Sequence, residues 1–157
     1  MLVAFSPTRQ MDMCKNTNDC FFGEYPTLAA LNKNCGEGAA EAWLIPQLTD
    51  LFVFCGQQGD KIVFKATAMM IAREYYFLKV SELMLFFYKF KAGAYGKIYG
   101  NIKAVDFMFC LRQFATERVD AYQKKESEEH LKLLDKYQRN AISYTEYLAR
   151  KEKEKQM

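Results

Sequence analysis

The sequence predicts an all-α fold, a compact bundle of four to five helices with a C-terminal amphipathic helical extension. Three observations predict it. No alternation of apolar and polar residues survives over five positions, which argues against half-buried strands. Apolar residues recur instead at helical spacing, between stretches punctuated by Gly, Pro and Asn. Half of the 157 residues are apolar, with 13 Phe and 10 Tyr among the aromatics, enough for one core in a chain of single-domain length.

Residues 1–26 mix polar side chains with Pro7 and Pro26 and show no period, so an irregular N-terminal arm is expected. The helical core domain is expected over 27–122. Thr27 can cap a short helix that runs through Asn34, with Leu28 and Leu31 on one face, until Cys35-Gly36 ends it. A longer helix follows from about Glu37 to Phe54 and stops at Gly56. Leu44, Leu48, Leu51 and Cys55 form its stripe, and Pro46 predicts a kink or a later start. Residues 61–77 read as the next helix, rich in Ala66, Ala68 and Ala72. Ser81 is the expected cap of a helix to Ala92 whose body, Leu83 to Tyr88, is apolar on every side. Such a helix must be surrounded by others, so it is expected at the centre of the domain. After a Gly-rich loop, a helix starts near Lys103, with Val105, Met108, Leu111, Ala115, Val119 and Tyr122 as its stripe and Phe107 and Phe114 widening it. From Gln123 the composition turns to Lys and Glu. Leu133, Tyr137, Ala141, Tyr144 and Leu148 still line one face, so 123–157 reads as a charged, mostly solvated helical extension.

Charge and cysteine usage narrow the function classes. The formal charge is only +3, but residues 1–60 carry 3 basic and 7 acidic groups, whereas 79–118 carry 7 and 3. The five cysteines form no C-x-x-C pair and have no nearby histidine, so reduced thiols and no metal site are expected, with Cys55 and Cys110 as small core residues. A Cys14–Cys20 redox pair has only its spacing behind it. His130, the one histidine, lies in a charged run. No stretch approaches the length of a membrane span, and Leu2 to Phe5 is too short for a secretory leader, so a cytoplasmic protein without membrane association is expected. No nucleophile, acid–base pair or metal set is visible. The expectation is a protein that is not an enzyme and needs no cofactor.

The densest local signal is Lys89 to Lys103, where Lys89, Lys91, Lys97 and Lys103 stand with Tyr95, Tyr99 and three glycines. Lysines neutralise phosphates, tyrosine rings stack on unpaired bases, and a helix start just beyond favours anions. Lys89, Lys91, Tyr95, Lys97, Tyr99 and Lys103 are therefore candidate nucleic-acid-binding residues. The other reading is a helix connection in which the tyrosines plug the core and the lysines are solvated. The glycines match neither the dinucleotide nor the P-loop pattern. Glu82 opens an otherwise apolar helix and needs a partner, so a structural ion pair with Arg112 and Arg118 is expected.

The stretch Tyr76-Phe77-Leu78-Lys79-Val80-Ser81-Glu82-Leu83-Met84-Leu85-Phe86-Phe87, continued by Phe90-Lys91-Ala92-Gly93-Ala94-Tyr95-Gly96-Lys97-Ile98-Tyr99-Gly100, resembles an uncharacterised helical domain family of gut anaerobes. That family is often carried on phage-like and other mobile elements. Ala42 to Leu51 fits its pattern as well, and the likeness covers about residues 27–122. Relatives tend to place Asp-Pro where this chain has Lys103-Ala104, which removes a helix cap and makes the loop more basic. The resemblance implies an accessory protein of a phage or mobile element. Joined to the residue reading, it gives two expectations: nucleic-acid association through the basic loop, or a protein adaptor acting through the acidic N-terminal region or the C-terminal helix.

Overall fold

The computed structural model describes residues 2–97 and 100–157, with side chains from Ala4 onward. It is all-α. Two 3-10 turns, Leu2–Phe5 and Pro7–Arg9, lead into α1 (Gln10–Met13), α2 (Thr17–Phe22), α3 (Leu28–Cys35), α4 (Ala39–Phe54), α5 (Lys61–Glu74), α6 (Val80–Lys91), α7 (Ala104–Asn140) and α8 (Tyr144–Lys155). The chain divides into two compact units, residues 1–118 and 119–157.

The first unit is built around α6. Nine of its twelve residues are buried, among them Leu83, Met84, Leu85, Phe86, Phe87 and Phe90. Phe86 makes ring contacts with Phe87, Phe90, Tyr95, Phe107 and Phe114, all with centroids between 5.3 and 6.0 Å. Leu44, Leu48 and Leu51 of α4 and Ala68 and Ile71 of α5 complete the core. On α7 the buried face is Phe107, Cys110, Leu111 and Phe114. Val105 and Val119, expected in the stripe, are exposed, because the aromatic side chains that were read as widening the face define it.

The N-terminal segment is not an irregular arm. Asn16 caps α2 by accepting from the Asp19 amide at 3.1 Å, and Cys20 and Phe21 are buried. The last carbonyls of α2 are satisfied from α6. Ser81 Oγ donates to the Cys20 carbonyl at 2.8 Å, and Lys79 Nζ donates to the carbonyls of Phe21 and Gly23 at 2.7 and 3.1 Å. Ser81 is therefore not a cap. The N-cap residue is Lys79, whose amide is taken by Glu82 Oε2 at 2.8 Å. The first amides of α3 are served similarly, Leu28 and Ala29 donating to the carbonyls of Leu78 and Tyr76, while Thr27 Oγ1 accepts from Ala30.

Helix α4 begins at Ala39, later than about Glu37, and Pro46 lies inside it. Two further details depart from the expectations. Cys55 is exposed at the end of α4, where Gly56 turns the chain with φ 71°, and Cys110 is buried as expected. The C-terminal extension is the second half of α7 followed by a break at 141–143 and then α8, which starts from a Ser143–Glu146 capping box.

Candidate functional site

The loop between α6 and α7 starts from two lysines that the fold already uses. Lys89 Nζ lies 2.5 Å from Glu117 Oε2 on α7. Lys91 pairs with Asp50 of α4 and donates to Gln10 Oε1 at 2.9 Å. Gln10 is buried and passes the chain on, its Nε2 donating to Gln47 Oε1 at 2.6 Å. Gln47 Nε2 and Trp43 Nε1 both donate to the Phe5 carbonyl, at 2.8 and 3.0 Å. A buried polar chain thus anchors the N-terminal segment to α4 and α6. Lys91 closes one end of it. Charge spent this way is not offered to a ligand.

Tyr95 turns inward. Its ring lies 5.6 Å from that of Phe86, and its hydroxyl oxygen is buried without a well-formed hydrogen bond. Burial first, and the neighbouring Glu117 carboxylate second, push its phenol well above the ordinary value. A ring held in this position cannot stack on a base without leaving the core. The far side of the loop is clamped by Gln57, whose Nε2 donates to the Gly100 carbonyl at 3.2 Å and whose Oε1 accepts from the Ile102 amide at 2.8 Å. Lys97 and Lys103 are exposed, and Tyr99 lies outside the described residues. Of the six candidate residues, the structure leaves Lys97 and Lys103 as open charges and gives Lys89, Lys91 and Tyr95 internal roles.

Glu82 is fully buried and pairs with Arg118 of α7, Oε1 lying 2.8 Å from Nε. Both of its oxygens are engaged, one by the guanidinium and one by the Lys79 amide. The Arg118 guanidinium also lies over the Phe77 ring, 5.3 Å from its centroid. Arg112 is exposed and lies near the Tyr75 phenol rather than in the Glu82 pair. Six residues, about one and two-thirds turns, separate it from Arg118, which places it on another part of the α7 surface.

Cys20 Sγ lies 3.5 Å from the Met13 carbonyl, beside Cys14. The closeness of the Cys20 thiol, and burial after it, raise the Cys14 thiol above its ordinary value, and the closeness of Cys14 lowers that of Cys20. All five cysteines are free. Among the described residues no group of three or more His, Cys, Asp or Glu could hold a metal ion, and no helix is long and apolar enough to cross a membrane.

The second unit, residues 119–157, has the opposite character. Helix α8 has no buried residue. Leu131, Leu133, Leu134, Tyr137, Tyr144 and Leu148 are all exposed, Tyr137 and Tyr144 at 70% and 73%. The same unit carries 9 basic and 8 acidic groups, distributed along its length.

Sequence reading could not find the Gln10–Gln47–Lys91–Asp50 chain, because its members lie up to 81 positions apart and none belongs to a motif. The Ser143–Glu146 box was legible as a S-x-x-E pattern and marks the α7–α8 break. No curated protein and no solved structure matches the chain. A family described as of unknown function, DUF6633, matches residues 62–157, from α5 through α6 and α7 to the last residue. That span holds the central helix, the basic loop and the whole extension, and the chain belongs to this uncharacterised family.

Proposed function

We propose that the protein is a non-enzymatic accessory protein that binds another protein through its C-terminal helices. The observation that supports this reading is the set of apolar side chains left in water between Leu131 and Leu148. Exposed apolar residues are common singly, but a run of them along one short segment marks an interaction surface. Helix α8 strengthens the point. A twelve-residue helix with nothing buried is marginal in water by itself, so its helicity is completed by whatever covers it. The near-balance of 9 basic and 8 acidic groups suits a partner that presents an apolar helical stripe bordered by charges of both signs. It suits a polyanion poorly. The buried carboxylate most like a catalytic group, Glu82, has both oxygens committed to structure.

The test places a photo-crosslinking residue at Tyr144 in the native host and measures the affinity of the captured, purified protein for the full chain. Leu148→Asp and Tyr137→Asp should each weaken binding at least tenfold, while Lys97→Ala leaves it unchanged. A captured protein whose affinity ignores both substitutions sinks the proposal. If the captured protein is a second copy of the chain, light scattering should show a dimer that Leu148→Asp dissociates.

A second reading is nucleic-acid association through the α6–α7 loop. It is supported by the exposure of Lys97 and Lys103 beside the start of α7. If it holds, Lys97→Ala and Lys103→Ala should each flatten the salt dependence of binding by about one unit. Salt-independent affinity would remove it. Origin in a phage or mobile element rests on the sequence resemblance and fits either reading.

A further inference from the structure

A cavity of about 580 Å³ lies between the C-terminal part of α4 and the first turns of α5, a volume in the range of small-molecule sites. From α4, Ile45, Thr49, Phe52 and Val53 line it, at the i, i+4, i+7, i+8 spacing that puts them on one helix face. That face runs about 12 Å along the helix axis. From α5 come Lys61, Phe64 and Lys65. Phe64 is the floor. Its ring stands edge-on to Phe52 with centroids 4.8 Å apart, and it packs so closely on Gly59 that a side chain there would overlap it.

The charges at this cavity are of one sign. Lys61 and Lys65 stand one turn apart on α5, both lining the cavity and both exposed, so a ligand inside it can reach them. Neither forms an ion pair among the described residues, and no described residue of the lining is acidic. Lys89 and Lys91 differ in this, since the fold pairs them with Glu117 and Asp50. Asp60, next to Lys61 in sequence, is committed to capping α5 and accepts from the Ile62 amide at 2.8 Å. Two lysines and one aspartate leave a single net positive charge beside an apolar wall whose Val53 is open to water.

We propose that this cavity binds a medium-chain fatty acid, its carboxylate between Lys61 and Lys65 and its alkyl chain along Ile45, Phe52 and Val53 above Phe64. A single net positive charge matches the one negative charge of a carboxylate better than the two of a phosphate monoester. A bare alkyl chain suits the α4 wall, where the Thr49 hydroxyl is already spent donating to the Ile45 carbonyl at 2.9 Å. The two exposed lysines supply point charges without the fork that a guanidinium would add, so the chain and not the head sets the orientation. This site lies within residues 45–65 and is independent of the partner surface on residues 119–157.

The test is calorimetric titration of the full chain with octanoate, which stays monomeric at millimolar concentration, with octanol and octylammonium as uncharged and cationic counterparts. Octanoate should bind saturably, with both counterparts at least tenfold weaker. Replacing both lysines, Lys61→Gln with Lys65→Gln, should bring octanoate down to the affinity of octanol. Thr49→Trp provides a variant that leaves the charges in place. Thr49 is exposed, so the larger ring should fill the groove and abolish binding without disturbing the core. Equal affinity for octanol or octylammonium, binding undiminished in either variant, or no saturable binding at millimolar concentration would each overturn the proposal. Recruitment to phosphatidylglycerol vesicles without binding of octanoate would overturn it as well, and would assign the two lysines to a membrane surface.

Discussion

Helices α6 and α8 are both twelve residues long, and in both a glutamate in the first turn accepts the N-cap amide: Glu82 from Lys79 at 2.8 Å and Glu146 from Ser143 at 3.0 Å. Their local chemistry is nearly the same. Their surroundings are opposite, since α6 buries nine residues and α8 buries none. Capping therefore decides where each helix begins but not whether it persists. Persistence of α6 comes from the aromatic cluster around Phe86. For α8 no equivalent exists within residues 119–157, and its apolar side chains are left to a partner.

The largest expected effect breaks the better-packed member of the pair. Leu85→Asp buries an unpaired charge at a position only 3% exposed and should abolish cooperative folding, as read by circular dichroism and urea titration. A variant that melts like the parent would show that α6 is not central. Next, Phe86→Ala should cost about 3–5 kcal/mol in urea unfolding, since it removes a ring that touches five others. Arg118→Met should cost a similar amount, about 3–5 kcal/mol, because it removes the guanidinium that pairs with the fully buried Glu82 carboxylate. A cost under about 1 kcal/mol, the range of surface pairs, would show that Glu82 reaches water.

A smaller effect is expected at Tyr95. Tyr95→Phe removes a buried hydroxyl that lacks a well-formed bond, so stability at neutral pH should be unchanged or higher by up to about 1 kcal/mol. The pH dependence has a definite sign. The folded phenol titrates above its unfolded value, so its contribution is fully present below about pH 10 and is lost as pH rises above that. Tyr95→Phe should therefore flatten the alkaline fall in stability. An unchanged alkaline profile would place the ring outside the core and reopen the stacking role. Smallest of all, Leu148→Ser and Tyr144→Ser should change the unfolding free energy of residues 1–118, read by urea titration of the full chain, by no more than about 0.5 kcal/mol, since neither side chain is buried.

The contrast between the two helices also explains what the sequence could reveal. The all-round apolar run from Leu83 to Tyr88 announced a central helix because no solvated face was available to it. The Thr27 cap and the Glu82 ion pair were equally legible, each following from a local need for a hydrogen-bond or charge partner. The N-terminal segment was misread because its order comes from Lys79 and Ser81, about 60 residues away, and not from any period of its own. The partners of the loop lysines were hidden for a related reason. Lysine density is visible in a sequence, but the Asp50 and Glu117 that take up Lys91 and Lys89 are visible only in the fold.

Residue-resolved hydrogen exchange on the dilute, isolated chain tests the central claim most directly. Amides of α6 should exchange only through global unfolding, with protection of roughly ten-thousand-fold or more for a domain of ordinary stability. Amides of α8 should exchange within roughly tenfold of an unstructured peptide, because nothing in residues 119–157 holds that helix closed. Protection in α8 equal to that in α6, in a chain shown by light scattering to be monomeric, would contradict the account. It would mean that α8 completes its packing without a partner, and the exposed row from Leu131 to Leu148 would lose its proposed role.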